Sequence, residues 1–278
     1  MLIATLAVCV VVDPGSYCQS ADKGGPQEPG KLQKETRLAF PDPFFRLMAL
    51  DMGLKLINQS VKWSDYYSKL ALTDKSVTKA GKDEASIGFL IGIRLADGVI
   101  ALMGKDVSKM QDCANDVREL AAKLGISKKE LTGADAIVRA VQKDDWLGVH
   151  FELGILREEI IEKLKDSSEK RKGVFVAAGA WLQGCRYGSG LVLDHMKVID
   201  LSNNLRASAV VDFLVSEIKT ADPKILAQPA IKSAVEVLAQ IKPLIDVDRD
   251  ANIPKERLQQ IFDLASLGVK SALPVQAN

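Results

Sequence analysis

The residues of this chain best placed to do chemistry are two arginines, because each lies inside an apolar run that resembles the other. Gly92-Ile93-Arg94-Leu95-Ala96-Asp97-Gly98 returns 92 positions further on as Gly184-Cys185-Arg186-Tyr187-Gly188-Ser189-Gly190. A guanidinium taken out of water must meet carboxylates or other acceptors, since a buried charge left uncompensated is very costly. Two arrangements satisfy that need. In one, Asp51, Asp97 and Glu152 supply the acceptors, and the resulting ion pairs fix helix register. In the other, Arg94 and Arg186 face a cavity and hold a small anionic ligand through bidentate hydrogen bonds. His150 and His195 are the only histidines, and a histidine is the usual proton carrier near neutral pH. His150 and Glu152 stand two apart, which sends them to different faces of a helix. A hydrolase or transferase would therefore need His150 or His195 in a pocket beside a nucleophile or carboxylate brought in from elsewhere. The Gly188-Ser189-Gly190 run lacks the lysine and the preceding strand of a phosphate loop, and reads as helix packing.

A second constellation comes late, at Asp246-Val247-Asp248-Arg249-Asp250-Ala251-Asn252-Ile253-Pro254-Lys255-Glu256-Arg257-Leu258. Acids fall at its first, third and fifth places, Asn252 offers a carbonyl at the seventh, and Ile253 follows. The segment resembles an EF-hand calcium loop, which implies a helix on each side and a Ca2+ held by Asp246, Asp248, Asp250 and Asn252. It departs from that pattern twice. Ala251 stands where the sharp turn takes Gly, and Arg257 stands where a bidentate Glu belongs, with Glu256 one place early. A cation at a ligand position removes a carboxylate and repels the metal. The alternative is an acidic turn in which Asp250 or Asn252 caps the last helix, where negative charge is favourable. The four cysteines, Cys9, Cys18, Cys113 and Cys185, have no zinc, haem or redox spacing, so no cofactor besides Ca2+ is implied.

These residues need helices to position them. Gly88, Gly92 and Ala96 lie four apart, as do Ala180, Gly184 and Gly188, so each segment carries a smooth stripe on one helical face. Each Gly costs about 1 kcal/mol of helix propensity, which close packing must offset. Weaker matches join Asp51-Met52-Gly53-Leu54 to Glu152-Leu153-Gly154-Ile155, and Ile126-Ser127-Lys128-Lys129-Glu130-Leu131 to Ile253-Pro254-Lys255-Glu256-Arg257-Leu258. The expected fold is all-α: a helical bundle built from two tandem repeats of a multi-helix unit, 40–143 and 144–278, packed as one domain through Gly-striped central helices. Helices are expected near 43–62, 84–102, 105–124, 128–142, 145–165, 174–196, 203–220, 229–244 and 254–272. Period-two alternation, the mark of a strand, does not persist anywhere.

Composition narrows the function classes. The net charge is +1 with 26% charged residues of interleaved sign, so nothing marks a nucleic-acid partner. Met1 to Val12 is an apolar run too short to span a bilayer, followed by Asp13-Pro14-Gly15 and the small residues Ser20 and Ala21. It fits the core of a signal peptide over 1–21, and 22–39, rich in Gly, Pro and charged residues, fits a flexible tether. The expected location is extracytoplasmic, periplasmic or secreted, with anchoring by the N-terminus as the alternative. After leader removal no integral span is expected, since both apolar central helices carry an Arg that lipid would penalise. Together these features describe an exported, non-enzymatic helical binding or scaffold protein whose partner is another protein or a small anion.

Overall fold

In the computed structural model the described residues are 43–73, 77, 83–166, 172–198, 200–248 and 251–273. The expected leader and tether lie outside them, as does Asp250. All regular structure among the described residues is helical. In chain order the helices are α1 (Pro43–Leu56), α2 (Trp63–Leu70), α3 (Glu84–Met103), α4 (Val107–Lys123), α5 (Thr132–Gln142), α6 (Trp146–Asp166), α7 (Lys172–His195), α8 (Ser208–Lys219), α9 (Pro223–Leu226), α10 (Pro229–Ile245) and α11 (Lys255–Ser271), with short 3-10 turns at Lys128–Glu130 and Ser202–Leu205.

Their ends follow from side-chain chemistry. Asp83 accepts from the Ala85 N–H at 3.1 Å to start α3, and Asp106 accepts from the Lys109 N–H at 3.1 Å to start α4. Gly125 turns left-handed, at φ 81°, directly after α4. The expected helix over 43–62 stops instead at Leu56, because Asn58 takes φ 57°. The aromatic segment that follows it, outside the expected helices, is α2. The Ser127 N–H donates to the Glu130 carboxylate at 2.8 Å, but this closes a single 3-10 turn, and α5 begins only at Thr132.

Most helices bury one stripe. In α4 it is Met110, Cys113, Ala114, Val117, Leu120 and Ala121, at the three-and-four spacing that lines one helical face. The third helix differs, being buried on every side from Ile87 to Leu102. It is long and apolar enough to cross a membrane by length and composition, and it is covered by the surrounding protein. Its largest interface is with α7. There the backbones touch: a Cβ on Gly92 would collide with the Val176 carbonyl and lie 2.7 Å from the Ala180 nitrogen, and one on Gly179 would collide with the Phe89 carbonyl. Later residues of α3 meet later residues of α7, so the two run in the same direction.

Their packing register does not bring the two similar sequence segments together position by position. Gln183 reaches Asp97 across 86 positions, whereas the similar segments lie 92 apart. Other contacts pair residues 84 to 90 apart, as Gly92 with Val176 and Asp97 with Tyr187, so the slip is two to eight residues, about 3 to 12 Å along a helix. Gly92 therefore faces the Val176 and Ala180 turn rather than Gly184. Gly184 and Gly188 turn toward α1 and the 3-10 turn at Ser202–Leu205, where a Cβ on Gly188 would lie 2.8 Å from Leu205 Cδ2 and 3.7 Å from Leu50 Cδ1.

Candidate functional site

Asp97 is fully buried at the centre of α3 and gathers neighbouring elements around it. Its Oδ1 accepts from Gln183 Nε2 at 2.6 Å and from the Tyr187 hydroxyl at 2.9 Å, both on α7. Its Oδ2 accepts from Arg94 Nη1 at 2.8 Å and from the Leu72 N–H at 3.0 Å, just past α2. Four donors to two oxygens satisfy a carboxylate held away from water.

Arg94, also buried, lies one turn before Asp97 and faces α4. Its Nε donates to Asp116 Oδ2 at 2.9 Å, and its Nη2 lies 2.8 Å from the same oxygen. Burial alone would lower its pKa. The acidic groups packed around it, Asp97 and Asp116 among them, outweigh burial and hold it above the ordinary arginine value.

Arg186 does a different job from Arg94. No ion pair forms on it among the described residues; its Nη1 donates to the Leu70 carbonyl at 2.7 Å, and its Nε donates to Ser266 Oγ at 3.0 Å on α11. Leu70 is the last residue of α2, where carbonyls lack helical partners and carry the negative end of the helix dipole. Gln183 Nε2 donates to the same carbonyl at 3.0 Å. With its nitrogen committed to Asp97 and Leu70, Gln183 leaves Oε1 buried and without a donor. Burial lowers the Arg186 pKa, only partly opposed by Tyr187 and Asp97.

Of the residues expected at the arginines, Asp97 is there and two are elsewhere. Asp51 joins α1 to α2, accepting from Trp63 Nε1 at 3.1 Å and pairing with Lys55 Nζ at 2.5 Å. Glu152 is half-buried on α6 and pairs with neither arginine. Asp116, Gln183 and Tyr187 complete the cluster without having been expected. Gln183 had a signal, as a lone amide inside the apolar run 174–185; Asp116 is one of several polar residues on an amphipathic helix and had none. Cys113 extends the cluster with a 3.4 Å contact between its sulfur and the Tyr67 hydroxyl. Burial pushes its thiol up to about 12.

The other expected residues stay apart from this cluster. His150 is half-buried near the start of α6, its ring 5.9 Å from that of Phe151, and His195 ends α7. Asp246 and Asp248 are exposed, and no group of side chains able to hold a metal is present among the described residues. The late acidic loop is tied down by its backbone: the Ile253 N–H donates to Ser202 Oγ at 2.9 Å, and Arg206 Nη2 donates to the Ala251 carbonyl. Pro254 occupies the cap position of α11, with no side-chain cap bond, so Asn252 does not cap that helix.

Two concavities accompany the cluster. A cavity of about 30 Å³ lies between α1 and α7, beside Arg46, Trp181 and Cys185. A shallow groove runs along α6, whose residues Leu147, Phe151 and Ile155, four apart, are 67%, 63% and 45% exposed. Neither histidine lines either one. No protein-family model, curated protein or solved structure matches this chain.

Proposed function

We propose that the chain is an exported, non-enzymatic helical binding or scaffold protein in which a duplicated Gly-x-Arg helix supplies a structural polar core. The observation that carries the reading is how the buried charge is spent. Asp97 accepts four hydrogen bonds from the protein itself, and Arg94 divides its donors between Asp97 and Asp116. A carboxylate with four donors on its two oxygens has no acceptor position left for a substrate, and the guanidinium is held against it. The exposed apolar ridge on α6 supports binding, because large apolar side chains in a row on a surface mark contact sites more often than chance. Export rests on the apolar segment Met1–Val12 and the small residues near 20 and 21.

Two measurements test the reading. Asp97→Asn exchanges the shared carboxylate for an amide that must turn a donor toward Gln183 or Arg94. The expected outcome is a clear loss of stability by urea unfolding, about 2 kcal/mol or more; a variant as stable as the parent would remove the structural role. For export, the intact mass of the protein recovered outside the cytoplasm is expected to lack roughly the first 21 residues. Full-length protein confined to the cytoplasm would refute that half.

A further inference from the structure

The cavity between α1 and α7 carries a guanidinium with an unused edge. Arg46 Nη1 donates to the Asn204 carbonyl at 2.8 Å and to the Arg206 carbonyl at 2.8 Å, which fixes the plane of the group. Its Nε and Nη2 have no acceptor among the described residues, and Arg46 forms no ion pair there. Those two nitrogens are an edge of the fork that matches a carboxylate bidentately. Burial lowers the Arg46 pKa, and the opposing neighbour is Cys185, itself a buried thiol pushed up to about 12 and so uncharged at neutral pH. Among the described residues this half-buried cation is thus held in place without a counter-charge.

The rest of the cavity is apolar, walled by Leu47, Leu50, Trp181 and Leu205, and Gly184 and Gly188 keep it open by having no side chains. Its volume of about 30 Å³ admits roughly two water-sized groups. An acyl chain of about two or three carbons fits that space. We propose that the cavity binds a short aliphatic monocarboxylate, its carboxylate on the Nε/Nη2 edge of Arg46 and its chain against Leu50 and Trp181. This goes beyond the reading above and does not depend on it, since neither Asp97 nor Arg94 touches the cavity.

The test is an NMR titration of the full chain with sodium propionate against sodium chloride at constant ionic strength, following the Trp181 indole N–H, assigned with Trp181→Phe. A saturable shift with propionate, none with neutral propionamide, and affinity about tenfold or more weaker in Arg46→Met are expected. No saturable shift in the parent, an equal response to propionamide, or an unchanged response in Arg46→Met would each overturn the proposal. Should Arg46→Met fail to fold, Gly188→Ala decides: its methyl group takes up cavity space between Leu205 and Leu50 while leaving the guanidinium intact, and an unaltered titration there also overturns it.

Discussion

Arg94 and Asp97 have to be considered together, because each is tolerable in the interior only through the other. Removing one member of a buried pair strands the second charge, which costs about 3–5 kcal/mol, whereas the pair as a whole contributes far less than that. Arg94→Met is accordingly expected to destabilise by about 3–5 kcal/mol in urea unfolding, and a loss below about 1 kcal/mol would mean that water reaches Asp97. Gly92→Ala addresses the backbone contact instead. Its added methyl group meets the Val176 carbonyl and the Ala180 nitrogen, which belong to a helix backbone and cannot swing aside. A cost of about 3 kcal/mol is expected, and α3 and α7 must separate to accept it. At this scale the sequence was partly informative. An arginine within an apolar run must find partners, which picked out Arg94 and Arg186, and the same logic applied to Phe44-Phe45-Arg46-Leu47 would have found Arg46. It could not say which partners, because spacing reports the face of a helix and not its neighbour. Gln183 and Tyr187 come to Asp97 from 86 and 90 positions away.

Among the elements, α2 is the one most dependent on the others. It has only eight residues, too few to be stable alone, and its C-terminal carbonyl at Leu70 receives both Arg186 and Gln183. Arg186→Gln is expected to loosen α2 selectively: amide exchange within Trp63–Leu70 should accelerate while α4 and α10 keep their protection. Uniform acceleration would show that Arg186 supports the whole bundle and not this helix end. The stripes of α4 and α10 and their acidic and proline starts made the helical class legible, since a 3.6-residue period and a cap are local properties. The breaks at Lys105 and Asp144, at φ 50° and 55°, fall at junctions expected between helices, whereas the one at Asn58, at φ 57°, was not legible within the helix expected over 43–62. Nor was the slip of α7 against α3, which depends on where Gly179 and Gly92 nest. The late acidic loop belongs to this scale as well. With Arg257 at the bidentate position and its backbone tied to Ser202 and Arg206, thermal unfolding in excess calcium is expected to coincide with that in chelator. An upward shift abolished by Asp246→Ala would instead make it a metal site.

For the whole molecule, the buried ionisable groups other than the arginines lean in one direction. Cys113 and Cys185 are buried, and burial pushes each thiol from 9.0 up to about 12. Burial also raises Tyr66, Tyr67 and Tyr187, with Asp194 adding to the effect at Tyr66 and Asp97 at Tyr187. The native state therefore keeps protons that the unfolded chain releases, so unfolding gives up protons once the pH passes the ordinary thiol value. Stability is full below about pH 9 and falls as pH rises toward 12, because the unfolded state binds fewer protons than the native one across that interval. Urea midpoints at a series of pH values should stay level up to about 9 and then decline steadily. The same burial predicts that neither thiol reacts with a thiol reagent at pH 8 until the protein unfolds, since attack requires an exposed thiolate. A level midpoint up to pH 11, or prompt labelling of the native protein, would place water at Cys113 and Cys185. The α3–α4 and α1–α7 contacts that exclude it would then be open in solution, and with them the enclosure that the Arg46 cavity requires.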